Sequence, residues 1–153
     1  MLIPGLLPGN YIRPSVRVSD TAVQSIAHNT FVAVGFNKTI YDPFSIHNDV
    51  TNNSRLTLPF SGQWWFWASL AYASGGTGYR MIQFKLNGAT NFDADRRDAV
   101  GSTVFTYCNL GAGIEVTAGD YMELMAKQTQ GSARNTVVED SASPIFGAFY
   151  ISP

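Results

Sequence analysis

The chain has 153 residues and a formal net charge of −1, with no basic run, so it lacks the electrostatic footprint with which a protein tracks a phosphate backbone, and nucleic acid is not an expected partner. Hydrophobic residues make up 45% and charged ones only 14%; with the aromatic content and the supply of Gly, Asn, Ser and Thr, this favours one compact all-β domain of short strands and tight turns. The single cysteine, Cys108, excludes an intrachain disulfide framework and any multi-cysteine zinc site, and its apolar neighbourhood marks it as a small buried hydrophobe.

The opening, Met1 to Gly9, is apolar but has no basic n-region and is cut twice by proline, so it fits neither a signal peptide nor a spanning helix. No membrane insertion and no secretory export are expected. Pro4, Pro8 and Pro14 hold residues 1–14 to extended or turn conformations, while Leu2, Ile3, Leu6 and Leu7 offer apolar anchors. This reads as an N-terminal arm ahead of a domain at 15–153. A frayed terminus is the alternative, and the leucines favour docking on a neighbouring protein.

From Pro14 onward, strand follows strand. Val16 and Val18 alternate with Arg17, residues 20–27 have room for a short turn of helix, and residues 30–36 form a nearly continuous apolar run. A short strand at 39–41 leads into a loop at 42–53 that is rich in turn formers, and alternation resumes at 54–58 before the Pro59-Phe60-Ser61-Gly62 turn.

All three tryptophans then fall within four residues. Side chains of a strand alternate faces, so Trp64, Phe66, Ala68, Leu70 and Tyr72 form one row and Trp65, Trp67, Ser69 and Ala71 the other. One row fills a sandwich core. The second requires its own cover, because two neighbouring indoles make an apolar patch that soluble monomers seldom leave exposed. Another subunit is the natural cover, and a loop of the same chain is the alternative.

Residues 79–86 alternate again and end at Asn87-Gly88, the dipeptide of a two-residue hairpin. Residues 89–101 read as a polar, self-paired loop containing Asp93, Asp95, Arg96, Arg97 and Asp98. Strands at about 103–116 and 121–129 flank Ala118-Gly119-Asp120, and the last strand runs over residues 145–151. His28 and His47 stand alone, without a second histidine or a cysteine at ligand spacing, and the acids of 93–98 are interrupted by arginines and lack a calcium-loop pattern. No metal, cofactor or catalytic residue is expected.

Four motifs in order narrow the architecture: Leu58-Pro59-Phe60-Ser61-Gly62-Gln63-Trp64-Trp65-Phe66, Phe84-Lys85-Leu86-Asn87-Gly88, Val116-Thr117-Ala118-Gly119-Asp120-Tyr121-Met122-Glu123-Leu124, and Phe146-Gly147-Ala148-Phe149-Tyr150-Ile151. The series resembles the jelly-roll β-sandwich shared by complement globular heads and tumour necrosis factor. Over about residues 39–152, with Ile46-His47, Asn52-Asn53-Ser54-Arg55 and Gly78-Tyr79-Arg80, it is similar to small bacteriophage virion proteins built on that fold.

The resemblance implies a homotrimer with one sheet of each protomer toward the threefold axis. Gly62 would give tight entry to the strand, Trp64 and Phe66 would enter the core with Met122 and Leu124, and Trp65, Trp67 and Tyr121 would face neighbouring subunits. It further implies a non-enzymatic knob on the virion surface, assembled in the host cytoplasm. The resemblance does not extend to residues 1–38, so the root that residues 1–14 would make on other capsid or tail proteins is inferred from their prolines and leucines alone; a bare knob with a short arm is most in keeping with capsid decoration or cement. A tail-tip or fibre module would use the same fold to read host surface glycan, through Tyr79, Arg96, Arg97 or the 42–53 loop. A soluble lectin-like or cytokine-like trimer is a further alternative. A polysaccharide-cleaving enzyme would need paired carboxylates drawn from Asp95, Asp98 and Glu139.

Overall fold

Period-two burial runs through the chain and sorts it into two packed sheets. A computed structural model describes residues 12–139 and 143–153, and these contain strands and turns and no helix. The strands are β1 (Ser15–Ser19), β2 (Ser25–Ile26), β3 (Val32–Ala33), β4 (Lys38–Tyr41), β5 (Arg55–Thr57), β6 (Gly62–Tyr72), β7 (Tyr79–Leu86), β8 (Thr90–Asp98), β9 (Thr106–Val116), β10 (Tyr121–Gln128), β11 (Arg134–Val137) and β12 (Ile145–Ser152). In the first sheet the order is β2-β11-β6-β12-β1-β4, with β9 paired along the whole of β6; in the second it is β3-β10-β7-β8, with β5 also on β10. This is the all-β, two-sheet sandwich that the motifs lead one to expect.

The core lies between the sheets. Trp64, Phe66, Leu70 and Tyr72 of β6 are fully buried and meet Ile82, Phe84, Met122 and Leu124 of the second sheet. Phe66, Phe84, Phe146 and Phe36 form a chain of ring contacts with centroids 5.6 to 6.0 Å apart. Both polar handles of the inward β6 aromatics find partners: the Trp64 indole donates to the Phe60 carbonyl at 3.1 Å, and the Tyr72 hydroxyl donates to the Met81 carbonyl at 2.6 Å. The latter bond ties the first sheet to the second. Truncating a core aromatic of this kind costs about 3–5 kcal/mol.

Several expected elements take a different form. Residues 20–27 form no helical turn, because side chains intercept the backbone: Asp20 accepts the Ala22 N–H, while the Gln24 amide bonds both the N–H and the carbonyl of Gly35. Residues 30–36 are not one strand. Val32 and Ala33 pair with β10 and the Val34 N–H adds a bond to the Leu124 carbonyl, after which the Phe36 N–H turns to the Asn53 carbonyl. Residues 89–101 are largely not a loop either, since Asn87 and Gly88 take φ of 52° and 66° and fold 90–98 back on β7 as an edge strand. Its charges are what an exposed sheet edge carries. Strand β11 has no counterpart in the sequence reading.

Pro14, at the end of the expected arm, is held by the fold, its carbonyl accepting the Tyr150 N–H at 2.9 Å. The anchors Leu2, Ile3, Leu6 and Leu7 lie outside the described residues. At the start of β6, Gly62 has φ of 131°, and a Cβ there would stand 2.3 Å from the Ser152 carbonyl oxygen. Both the left-handed backbone and the close approach demand glycine. Gly62→Ala should therefore lower unfolding free energy by about 2–4 kcal/mol, read as a lower denaturant midpoint at unchanged slope.

Candidate functional site

The outer face of the first sheet is built around the second tryptophan row. In register, Trp65 stands between Gly113 of β9 and Phe149 of β12, and Trp67 between Gly111 of β9 and Gly147 of β12. These glycines clear space for the indoles. A Cβ at Gly147 would come within 2.2 Å of Trp67 Cζ2, and one at Gly111 within 2.9 Å of Trp65 Cζ2. Trp67 thus leans over β12 toward Phe149, at a centroid distance of 6.0 Å, while Trp65 leans over β9. Trp67 becomes half-buried by lying on its own sheet. Trp65, Phe149 and Ile151 are each close to 39% exposed and Tyr41, further across the sheet, is 42%, giving an open aromatic and aliphatic surface of the kind that marks an association face.

The second sheet presents the opposite character. Its outward row includes Arg55 and Thr57 of β5 and Tyr121 and Glu123 of β10, directly paired as Thr57 with Tyr121 and Arg55 with Glu123. The Arg55 guanidinium carbon lies 4.0 Å from the Tyr121 ring centroid, and its Nε is 3.4 Å from Glu123 Oε1. The structure therefore brings Trp65 and Trp67 together and sets Tyr121 on the other sheet.

Among the expected receptor residues, Tyr79 and Arg96 meet, with the guanidinium carbon 4.0 Å from the ring centroid. Arg97 points to the other side of β8 and binds Asp95 through Nε at 2.8 Å. The same Asp95 oxygen accepts the Asn109 N–H of β9 at 2.8 Å.

Glu139 and both histidines are occupied by neighbours within the chain. Glu139 accepts the Tyr107 hydroxyl, and this bond raises the Tyr107 pKa. His28 Nδ1 accepts the Gly131 N–H, while His47 lies with its ring nitrogens 3.1 and 3.0 Å from the Arg55 and Phe36 carbonyl oxygens. Among the described residues, no group of three or more His, Cys, Asp or Glu is placed to hold a metal ion. Burial, aided by nearby Asp95, pushes the Cys108 thiol up to about 12, so at neutral pH it is protonated and a poor nucleophile.

The glycine seats were missed in sequence because their meaning depends on register. Gly111 and Gly113 share one face of β9, and Gly147 alternates with Ala148 on β12. A period-two run of glycines paired with a period-two run of tryptophans is the signal that would have found them.

No family model matches the sequence, and no curated protein matches it. Solved structures do. The globular domain of zebrafish complement 1qA protein is 14% identical with a TM-score of 0.66, over 92% of this chain and 98% of that one. Murine APRIL at pH 5.0 is 7% identical with a TM-score of 0.69, over 92% of this chain and 100% of that one, and its structure at pH 8.0 gives 10% and 0.62 over the same shares. At these identities the likeness is one of fold, the jelly-roll sandwich of complement globular domains and the tumour necrosis factor family.

Two outcomes follow from this geometry. Gly147→Ala should drive Trp67 off the sheet, seen as altered near-ultraviolet circular dichroism with a stability loss of about 1–3 kcal/mol. Cys108 should resist alkylation in the folded protein at pH 8 and react within minutes once denatured, since its raised pKa withholds the thiolate until unfolding restores the ordinary value near 8.5.

Proposed function

We propose that this chain is a non-enzymatic structural protein of a bacteriophage particle, a homotrimeric jelly-roll knob attached by its N-terminal arm and acting in capsid decoration or cement. The observation that carries the trimer is the aromatic outer face of the first sheet. Its tryptophans are seated on glycines, so the surface is wide and shallow, suited to a second and third copy rather than to a small ligand held in a cleft. The second sheet, with Arg55, Lys85 and Arg96 along its outward side, remains toward solvent in that arrangement.

The four ordered motifs support the fold; the particle role rests on the similarity over about residues 39–152 that includes Ile46-His47, Asn52-Asn53-Ser54-Arg55 and Gly78-Tyr79-Arg80, and on the leucine- and proline-rich arm. With both histidines engaged by backbone groups and Glu139 engaged by Tyr107, the reading is of a binding and building protein, located at the virion surface. A tail-tip module that reads host glycan is the second reading, favoured by the polar, concave surface beside the 42–53 loop.

Light scattering on the full-length chain should give about three chain masses, with an apparent melting temperature that rises with protein concentration. Trp67→Arg should yield monomer or aggregate, and an unchanged trimer mass would overturn the interface. Deleting residues 2–14 should abolish incorporation into particles while leaving the trimer mass intact.

A further inference from the structure

On the outward side of the second sheet, the 42–53 loop and β5 enclose a recess of about 260 Å³, whose lining includes Asn48, Thr51, Asn52, Arg55, Thr57 and Tyr121. We propose that this recess is a binding site for an acidic saccharide, one sugar ring whose carboxylate is held by Arg55. The inference rests on the glycan reading above, and it names the site and the class of sugar.

The recess is preformed. Asp42 fixes the loop by accepting the N–H groups of Ile46 and His47 at 2.9 and 2.7 Å, and the buried His47 ring sits between the Phe36 and Arg55 carbonyl oxygens, within hydrogen-bond distance of each. The Thr57 N–H closes the loop on the Ile46 carbonyl at 2.8 Å. Ser45 and Asn52, both at its wall, hold φ of 55° and 51°, left-handed turn positions that fix the loop's path, the second at an asparagine, which adopts that conformation more readily than most residues.

Its chemistry is that of a sugar site rather than an apolar one. Among the described residues, the Asn52 amide, the hydroxyls of Thr51 and Thr57, and the two terminal amino groups of Arg55 have no hydrogen-bond partner. They provide donors and acceptors for ring hydroxyls beside an aromatic wall. Arg55 is the one permanently charged side chain in the lining, and its guanidinium carbon lies over the Tyr121 ring at 4.0 Å from the centroid while Glu123 engages only its Nε side. The free end of that fork matches a carboxylate. The volume, at the low end for small-molecule sites, limits the occupant to about one ring.

Amide-resolved NMR titration of the full chain with sodium glucuronate, glucose, sodium acetate and inorganic phosphate tests this directly. Saturable shifts confined to residues 45–57 and 121 are expected with glucuronate at millimolar concentration, and at least about tenfold weaker binding with glucose and acetate. Arg55→Ala should weaken glucuronate at least about tenfold. Asn52→Gly keeps the left-handed backbone and should weaken it severalfold, guarding against a folding defect in the first variant. Equal response to acetate or phosphate would overturn the sugar, equal response to glucose would overturn the carboxylate, and no shift by about 50 mM would overturn the site. None of these needs a particle or a trimer, so failure here leaves the knob reading standing, and a monomer by light scattering leaves the recess standing.

Discussion

Strand β6 carries aromatic side chains to both of its faces, and the rest of the sandwich accommodates that demand. Inward, Trp64 and Phe66 take places between the sheets; outward, Trp65 and Trp67 lie down on Gly111, Gly113 and Gly147. The glycines do more than provide room. A slip of one residue along β9 would set Trp67 against Ala112 or Leu110 and would turn Cys108, Ala112 and Ile114 out to water. Register at the centre of the first sheet is thus specified twice, by the hydrophobic core on one side and by the seats for the indoles on the other.

The two outward surfaces differ in a way that orients the molecule. The first sheet shows rings and aliphatic groups, the second shows ion pairs, hydroxyls and arginines stacked on tyrosines at Arg55–Tyr121 and Arg96–Tyr79. Exposed cation–π pairs contribute modestly, about 0.5–1 kcal/mol each, so they add little to stability while keeping the guanidinium groups over the tyrosine rings. The sandwich thus presents two faces of contrasting chemistry without any moving part.

Much of the sandwich was legible because the signal was local. Strand β7 matches residues 79–86 end to end, Asn87-Gly88 takes the positive φ its composition implies, and the inward row of β6 is buried with Met122 and Leu124. What escaped depended on distant partners. Strand β8 is too polar for its pattern to reveal a strand, since pairing with β7 and not burial makes it one. The apolar run at 30–36 broke up because Gly35 is claimed by the Gln24 amide. Of the candidate site, the pairing of Trp65 with Trp67 follows from parity alone, while the separation of Tyr121 onto the other sheet needed the strand order, and the recess by β5 needed the loop closed by Asp42 and His47.

Asp95 has a consequence for life at high local density. Strand β9 is eleven residues long and borders the first sheet, with its backbone groups on one side directed away from β6. Such an edge is a template for foreign strands. By reaching across from β8 to take the Asn109 N–H, and by keeping Arg97 beside it, Asp95 occupies a donor near the middle of that edge and sets a charge pair where an incoming backbone would have to lie. Copies brought close together at high concentration would then meet through side chains, and the growth of one sheet into the next, the first step toward an insoluble fibre, would be obstructed at that border.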